Sequence, residues 1–420
     1  MQKIGIVVEY NPFHNGHLYQ INEIKKIFGE DTLLIVITSG DFVQRGEISY
    51  LNKWEKTEIA LNYGIDLVIE LPVYYSIQNA EIFSGMATRI LDYVGADIQI
   101  FGAESEDVRE LYKVVDLQKK TEYREKIMHK MKEGHNYSTS QRLVLEEYGY
   151  KDIVRSNNIL GIEYIRIIEK ENLKIKPYII KREISDYREE EIEKNREKIV
   201  SASFLRKLLN SVIEKNENKE KILRKIEMFV PQKTLEIINE KKFINNNKNI
   251  IKTDIKEKLY EIVKYKILTD SKKKIMEIYD MTEEIYARMY NGLVNSKNHE
   301  QFLEKVKSRN FSTKRIERLI LNILLNIKKR NMDFDIDYVR VLGFNDRGRR
   351  YLKYLKSDNR DNIYVNWKDI EKQIKNEKVK IEKNGFLVKN MFLKENERLN
   401  PIRIDTIYKK GENCGNINYY

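Results

Sequence analysis

Over the first 120 residues, strand-like, mostly apolar runs alternate with stretches in which apolar positions recur every three or four residues. The runs are Gly5–Val8, Leu33–Thr38, Asp66–Leu71 and Asp97–Gly102. Between them, Leu18, Ile21, Ile24 and Phe28 fall on one helical face, Trp54–Tyr63 and Ala80–Leu91 read as helices, and another begins at Leu111. A strand buried on both faces has no polar alternation, and helices of 10–15 residues between such strands are right-handed crossovers. The pattern therefore predicts an α/β domain built on an open parallel sheet.

Further along, Ser140–Tyr148 and Asn158–Lys170 read as helices. Lys174–Arg182 reads as a last strand, placed near an edge by Pro177, which has no N–H for a ladder. Ser201–Asn210 opens a helix with a cap-competent Ser201. The sheet domain is expected to occupy residues 1–225. A mostly helical domain over 226–335 contains a polar run, Ile244–Asp254, read as a loop, and the clearest helical pattern, Phe311–Lys329. Residues 336–420, with Gly343 and Gly348, carry short mixed segments expected to form a small α/β piece.

Composition narrows the class. An apolar fraction of 41% with 10% aromatics excludes a disordered chain. No apolar run approaches the ~20 residues of a bilayer span, and the first strand begins without a signal-peptide pattern. One cysteine, Cys414, excludes an internal disulfide framework and a thiolate cage. The expected location is the cytoplasm, without a membrane. Residues 1–100 hold 7 Lys and Arg against 13 Asp and Glu, whereas the rest hold 70 against 52. An acidic opening and a basic remainder fit chemistry in front and polyanion capture behind. A lysine-rich proteome would also raise the basic count.

Chemistry concentrates where the first run ends, in EYNPFHNGHLY, Glu9–Tyr19. Two of the five histidines, His14 and His17, stand there three positions apart. Neither GxGxxG nor GxxxxGK[ST] occurs. In an open α/β sheet the ligand still lies at the carboxyl ends of the strands, beside a helix N-terminus with free N–H groups. Imidazoles there can donate to phosphate oxygens, Gly16 admits close backbone approach, and Pro12 stiffens the loop. The same HxxH spacing would serve as half a metal site, but no third ligand follows at recognisable spacing. A second candidate, Ile199–Arg206, offers Ser201, Ser203 and Arg206 at a helix opening, where hydroxyls and a guanidinium can meet triphosphate oxygens.

These residues carry a resemblance. NPFHNGH resembles the HxGH element of the nucleotidyltransferase superfamily, and Ile199–Arg206 is similar to its ISSTxxR-like partner. GIVVEYNPFHNGHLYQI, Thr38–Glu47, Asn52–Val73, Phe101–Ser105, Ser156–Tyr164 and Val341–Gly348 together resemble the bacterial tRNA(Met) cytidine acetate ligase family, in order and over nearly the whole chain. The resemblance implies a Rossmann-like parallel-sheet nucleotidyltransferase domain. It also implies a ligase that uses ATP, with Mg²⁺, to activate acetate as acetyl-adenylate. The product is N4-acetylcytidine at the wobble position of elongator tRNA(Met), with AMP and pyrophosphate released.

By the same resemblance Val7, Val8, Glu9, Tyr10, Asn11, Pro12, Phe13, His14, Asn15, Gly16, His17, Leu18, Tyr19 and Gln20 would wrap the ATP. Gly102, Asn157 and Arg182 would also contact the nucleotide, with His14, His17, Ser203 and Arg206 as catalytic groups. From the residues alone, Gly102 is also an ordinary strand end, Asn157 a helix cap, and Arg182 half of an ion pair. Two departures stand out. Arg188 occupies a position where the family usually has histidine, and Asp41 stands where asparagine is expected. Gln44-Arg45-Gly46 is a candidate substrate-side loop, and Trp54 is read more as packing than as base stacking.

Two basic segments are candidate tRNA contacts: Lys305–Arg318, and Asn345–Lys356, which interleaves Arg347, Arg349 and Arg350 with Tyr351 and Tyr354. Packing as an ordinary amphipathic helix is the other use of the second. A small-metabolite adenylyltransferase would use the same histidine pair but leave the basic half unexplained. A non-catalytic RNA-binding protein would leave the phosphate motifs idle.

Overall fold

The computed structural model describes residues 1–151, 153–182, 199–214, 219–240, 252–393, 406–410 and 417–419. Arg188, and most of the polar run at 244–254, lie outside them. The strands are β1 (Lys3–Val8), β2 (Leu33–Ser39), β3 (Phe42–Val43), β4 (Glu47–Ile48), β5 (Leu67–Leu71), β6 (Ile98–Ala103), β7 (Lys176–Lys181), β8 (Val339–Asn345), β9 (Ile363–Tyr364), β10 (Ile407–Lys409) and β11 (Ile417–Tyr419). Apart from the β3–β4 hairpin they form one sheet, ordered β11-β10-β8-β5-β2-β1-β6-β7 with β9 beside the start of β8.

The four opening strands and β7 pair in parallel, as the apolar runs predict. Every residue of β2 and β5 is buried, which explains their lack of polar alternation. β7 forms an edge, consistent with Pro177 in it. The wholly parallel expectation fails beyond β5. There β8 pairs antiparallel with β5, with a register shift at Val68/Ile69, and β10 then pairs parallel with β8. Strands of the 336–420 segment thus continue the first sheet and do not form one of their own. Gly343 makes this possible: a Cβ there would lie 2.4 Å from Thr57 Cγ2.

Helix ends follow their caps. Lys53–Asn62 starts one residue before its predicted start because Asn52 and Glu55 form a reciprocal capping box. Ser312 caps Thr313–Leu325, and Asn326 ends it in the left-handed region, four residues short of the predicted Lys329. Apolar contacts of that helix, through Ile316, Leu319, Ile320 and Ile323, join the same core as β2 and β5. The helical segment and the sheet therefore share one interior. Among the described residues no helix is long and apolar enough to cross a membrane.

Candidate active site

β1 has β2 on one side and β6 on the other, so the chain changes direction across the sheet at β1. The crevice outside the carboxyl ends at such a reversal is where open sheets bind ligands. A cavity of about 1140 Å³ lies there. Val7, Val8, Glu9, Tyr10, Asn11, His14, Gly16, His17, Tyr19 and Gln20 line it from the first crossover, and Gly102, Asn157, Arg182, Ser203 and Arg206 from elsewhere. The remaining predicted residues, Pro12, Phe13, Asn15 and Leu18, are not part of its lining. Phe13 is buried against Tyr10 and Tyr63, and Asn15 ties the helix start to the carbonyls of Met228 and Phe229.

His14 is the N-cap of the helix Asn15–Phe28. Its Nδ1 accepts the Gly16 N–H at 3.1 Å, and His17 Nδ1 accepts the His14 N–H at 3.1 Å. A backbone N–H can only donate, so both Nδ1 atoms carry lone pairs and each neutral ring keeps its proton on Nε2. The rings stack with centroids 3.8 Å apart. Burial, then the positive charges of Arg182 and Arg206, push His14 down to about 3. His17 is held well below its ordinary value by burial, His14 and Arg182. In the free protein the pair is two neutral Nε2–H donors. Gly16 keeps this turn close, since a Cβ would sit 3.0 Å from His14 Cε1 and press on that ring.

The opposite wall is the helix Ala202–Glu214, which Ser201 caps by accepting the Phe204 N–H at 3.2 Å. Arg206 donates to the Asn11 carbonyl at 2.8 Å and to Ser203 Oγ at 3.1 Å, so the two predicted phosphate elements meet directly. Arg182 lies across Gly102, where a Cβ would come within 2.7 Å of Arg182 Cγ, and donates to Asn157 Oδ1 at 2.6 Å. Asn157 in turn donates to Glu104 at 2.6 Å, and the other Glu104 oxygen accepts the Asn158 N–H. Asn157 is therefore no cap; it holds Arg182 in place.

Residues that sequence reasoning missed complete the lining. Glu104 gives no local signal, because its partners are 53 and 54 residues away. Arg318, legible in the sequence only as part of a basic segment, lines the cavity from the helical region. It lies under the β3–β4 hairpin, whose tip bears Gln44 and Arg45. Gly46 at that tip has φ +75°, and a Cβ there would lie 2.5 Å from the Arg318 backbone nitrogen. Among the described residues no ion pair is made by Arg45, Arg182, Arg206 or Arg318. Nor does any cluster of three His, Cys, Asp or Glu among them offer a metal site.

One further reading holds and others shift. Trp54 is buried with Arg340 over its ring at 5.3 Å, which is packing. Asp41 lies outside the cavity lining, bound to Lys389 at 2.5 Å. In the basic helix Asp346–Ser357, Arg347 is tied to Asp66 at 2.9 Å and to the Glu30 carbonyl, and Tyr351 is buried with its hydroxyl on the Val94 carbonyl. Both stabilise the fold, which leaves Arg349, Arg350 and Tyr354 exposed.

The family model described as HIGH Nucleotidyl Transferase matches residues 1–400. A tRNA(Met) cytidine acetate ligase of Fusobacterium nucleatum is 35% identical over 356 residues, covering 84% of this chain and 85% of the relative. One from Caldicellulosiruptor saccharolyticus is 34% identical, covering 85% of each. The structure of Thermotoga maritima TmcAL bound with alpha-thio ATP superposes with a TM-score of 0.82 at 25% identity, over 98% of this chain and 100% of that one. With the HxGH helix start and its serine–arginine partner assembled around one cavity, the chain belongs to the tRNA(Met) cytidine acetate ligase family of HIGH nucleotidyltransferases.

Proposed function

We propose that this chain activates acetate with ATP as acetyl-adenylate and transfers the acetyl group to N4 of the wobble cytidine of elongator tRNA(Met), releasing AMP and pyrophosphate. The observation that carries the reading is a cavity with unpaired guanidiniums and two imidazoles fixed as Nε2–H donors. Such a set matches an anion that gains charge on leaving, as pyrophosphate does. Family membership supports the substrates: relatives bear the name tRNA(Met) cytidine acetate ligase, and the superposed TmcAL is bound with alpha-thio ATP.

In this reading His14 and His17 donate through Nε2 to phosphate oxygens. Arg206, held by Asn11 and Ser203, neutralises the leaving pyrophosphate, and Arg182 over Gly102 faces the nucleotide. The residues position and neutralise rather than attack, and much of the rate comes from alignment and preformed donors. Mg²⁺ would arrive on the triphosphate, whose oxygens are its natural ligands. It would add neutralising charge there.

Purified protein incubated with ATP, acetate and total tRNA tests the proposal. Acetate-dependent AMP release with N4-acetylcytidine in the digested tRNA is the expected result. AMP transfer that ignores acetate would point to a metabolite adenylyltransferase, and no turnover of ATP to a binding protein.

A further inference from the structure

Acetyl transfer to a cytosine amino group has a second chemical demand besides activation. The N4 lone pair is delocalised into the ring, and attack on the acetyl carbonyl leaves a positively charged nitrogen that must lose a proton. A group in the cavity has to accept it.

The histidines are unsuited to that task in this geometry. Each spends its Nδ1 lone pair on a backbone N–H and presents a proton at Nε2. Among the described residues only two carboxylates line the cavity, Glu9 and Glu104. Glu104 has both oxygens engaged, one by the Asn157 amide and one by the Asn158 N–H. Glu9 differs. One oxygen accepts the Gln44 N–H at 2.7 Å, which fixes the carboxylate against the β3–β4 hairpin, and the second oxygen has no hydrogen-bond partner among the described residues. A carboxylate beside a triphosphate would repel it, so Glu9 serves the phosphates poorly. Its wall is the one shared with Arg45, which lines the cavity and is exposed to solvent.

We propose that Glu9 is the base that takes the proton from the acceptor amino group during acetyl transfer, which rests on the acetyl-adenylate route proposed above. The N4 lone pair forms the C–N bond and the carbonyl π pair moves to oxygen. The N4 proton passes to the free Glu9 oxygen. The carbonyl re-forms, the C–O bond to the phosphate breaks, and AMP leaves with that electron pair. Glu9 then returns its proton to solvent.

The environment supports a proton acceptor. Burial raises the Glu9 carboxyl above its ordinary value, against the Gln44 N–H and the charges of Lys56, Arg206 and Arg45. The groups facing it are Gln44 and Arg45 from the hairpin, Lys56 from Lys53–Asn62, Tyr164 from Ser156–Glu171, and Arg206 from Ala202–Glu214. Lys56, pushed down to about 7 by burial, titrates nearby but donates to the Ser39 and Gly40 carbonyls and does not line the cavity.

The test supplies synthetic acetyl-adenylate and tRNA(Met) transcript, which bypasses activation, and follows single-turnover acetyl transfer from about pH 5 to about pH 8. The wild-type rate should fall on the acid side as Glu9 protonates. Glu9→Gln should transfer about 10²–10⁴-fold more slowly, with that acid limb gone. Glu9→Ala should be rescued by added formate, a readout that a structural defect would not give. A Glu9→Gln variant that transfers at the wild-type rate, or slows while keeping the acid limb, overturns the role. So does a defect confined to adenylate formation. If wild-type protein transfers nothing from acetyl-adenylate, the proposed activity itself fails, a result separate from failure of the Glu9 role alone.

Discussion

Two groups of charged side chains lie at the carboxyl edge of the same sheet, one strand apart, and they are composed in opposite ways. Around the ends of β2 and β5, Lys53, Arg340 and Lys389 meet Asp41, Glu70 and Glu382, all buried. Lys53 pairs with Glu70 at 2.6 Å, Arg340 with Glu70 at 3.2 Å, and Lys389 with Asp41 at 2.5 Å, while Glu382 accepts the Val73 N–H at 2.7 Å. Burial alone would raise the Asp41 carboxyl, but Lys389 and Lys53 outweigh it and hold it far below the usual range. Three cations and three carboxyls meet within the protein interior. Beside it, the cavity is lined by Arg45, Arg182, Arg206 and Arg318, which make no ion pair among the described residues. The first group is complete within the protein and joins β5, β8 and the helix Glu377–Asn390. In the function proposed above, the second takes its anion from outside.

The largest effect on stability should come from breaking the complete group. Glu70→Ala strands Arg340 in the interior and leaves Lys53 only Glu382 at 3.9 Å, and removing one partner of a buried pair costs about 3–5 kcal/mol. Chemical denaturation should register that loss, and a change below about 1 kcal/mol would contradict the pairing.

In the incomplete group the loss should fall on activity instead. Arg206→Ala, and His17→Asn (which keeps an acceptor for the His14 N–H), should slow acetyl-adenylate formation by about 10²–10³-fold with little change in melting temperature. Pyrophosphate release is the readout. Near wild-type turnover in either variant would remove that residue from the chemistry.

A smaller contrast separates arginines on one helix. Arg347→Ala should destabilise by about 1.5–3 kcal/mol, since it removes a charged hydrogen bond to the fully buried Asp66. Charge reversal at the exposed Arg350 should leave stability alone and make tRNA binding less sensitive to salt, whereas Arg349 also packs over the Tyr408 ring at 5.5 Å. The salt slope should fall by up to about 1 for each phosphate that an arginine no longer neutralises. An unchanged slope would take that surface out of the tRNA path.

The finest test is of pH. Burial, then the Glu70 carboxylate, push Glu382 up to about 8. Unfolded, it would titrate at its ordinary 4.5, so between these values the folded protein holds the extra proton. Stability from this group therefore declines as pH rises across that window. Glu382→Gln should flatten the stability profile between about pH 5 and about pH 8. A profile as steep as the wild type would assign the slope to other groups.

Much of this was open to reading along the chain, for local reasons. β1, β2, β5 and β6 announced themselves because strands buried on both faces are mostly apolar and lack polar alternation. The His14–His17 element and Ser201 were legible because a helix start must satisfy its own N–H groups within a few residues. Pro177 marked an edge because it lacks a donor.

What the sequence by itself determined, then, is each element and the cap or turn that ends it, since periodicity and hydrogen-bond supply act within a few residues. Tertiary structure alone decided which distant elements meet. No local pattern announces that Val339–Asn345 pairs antiparallel with Leu67–Leu71, or that Arg318 reaches the cavity of a sheet whose first strand lies 310 residues earlier. Nothing local shows the carboxylates or carbonyls that Lys53, Lys56 and Arg347 meet, because those partners lie on other elements. Whether a charge is complete or still needs a ligand depends on the partners that folding brings within about 3 Å, and that distance exists only in three dimensions.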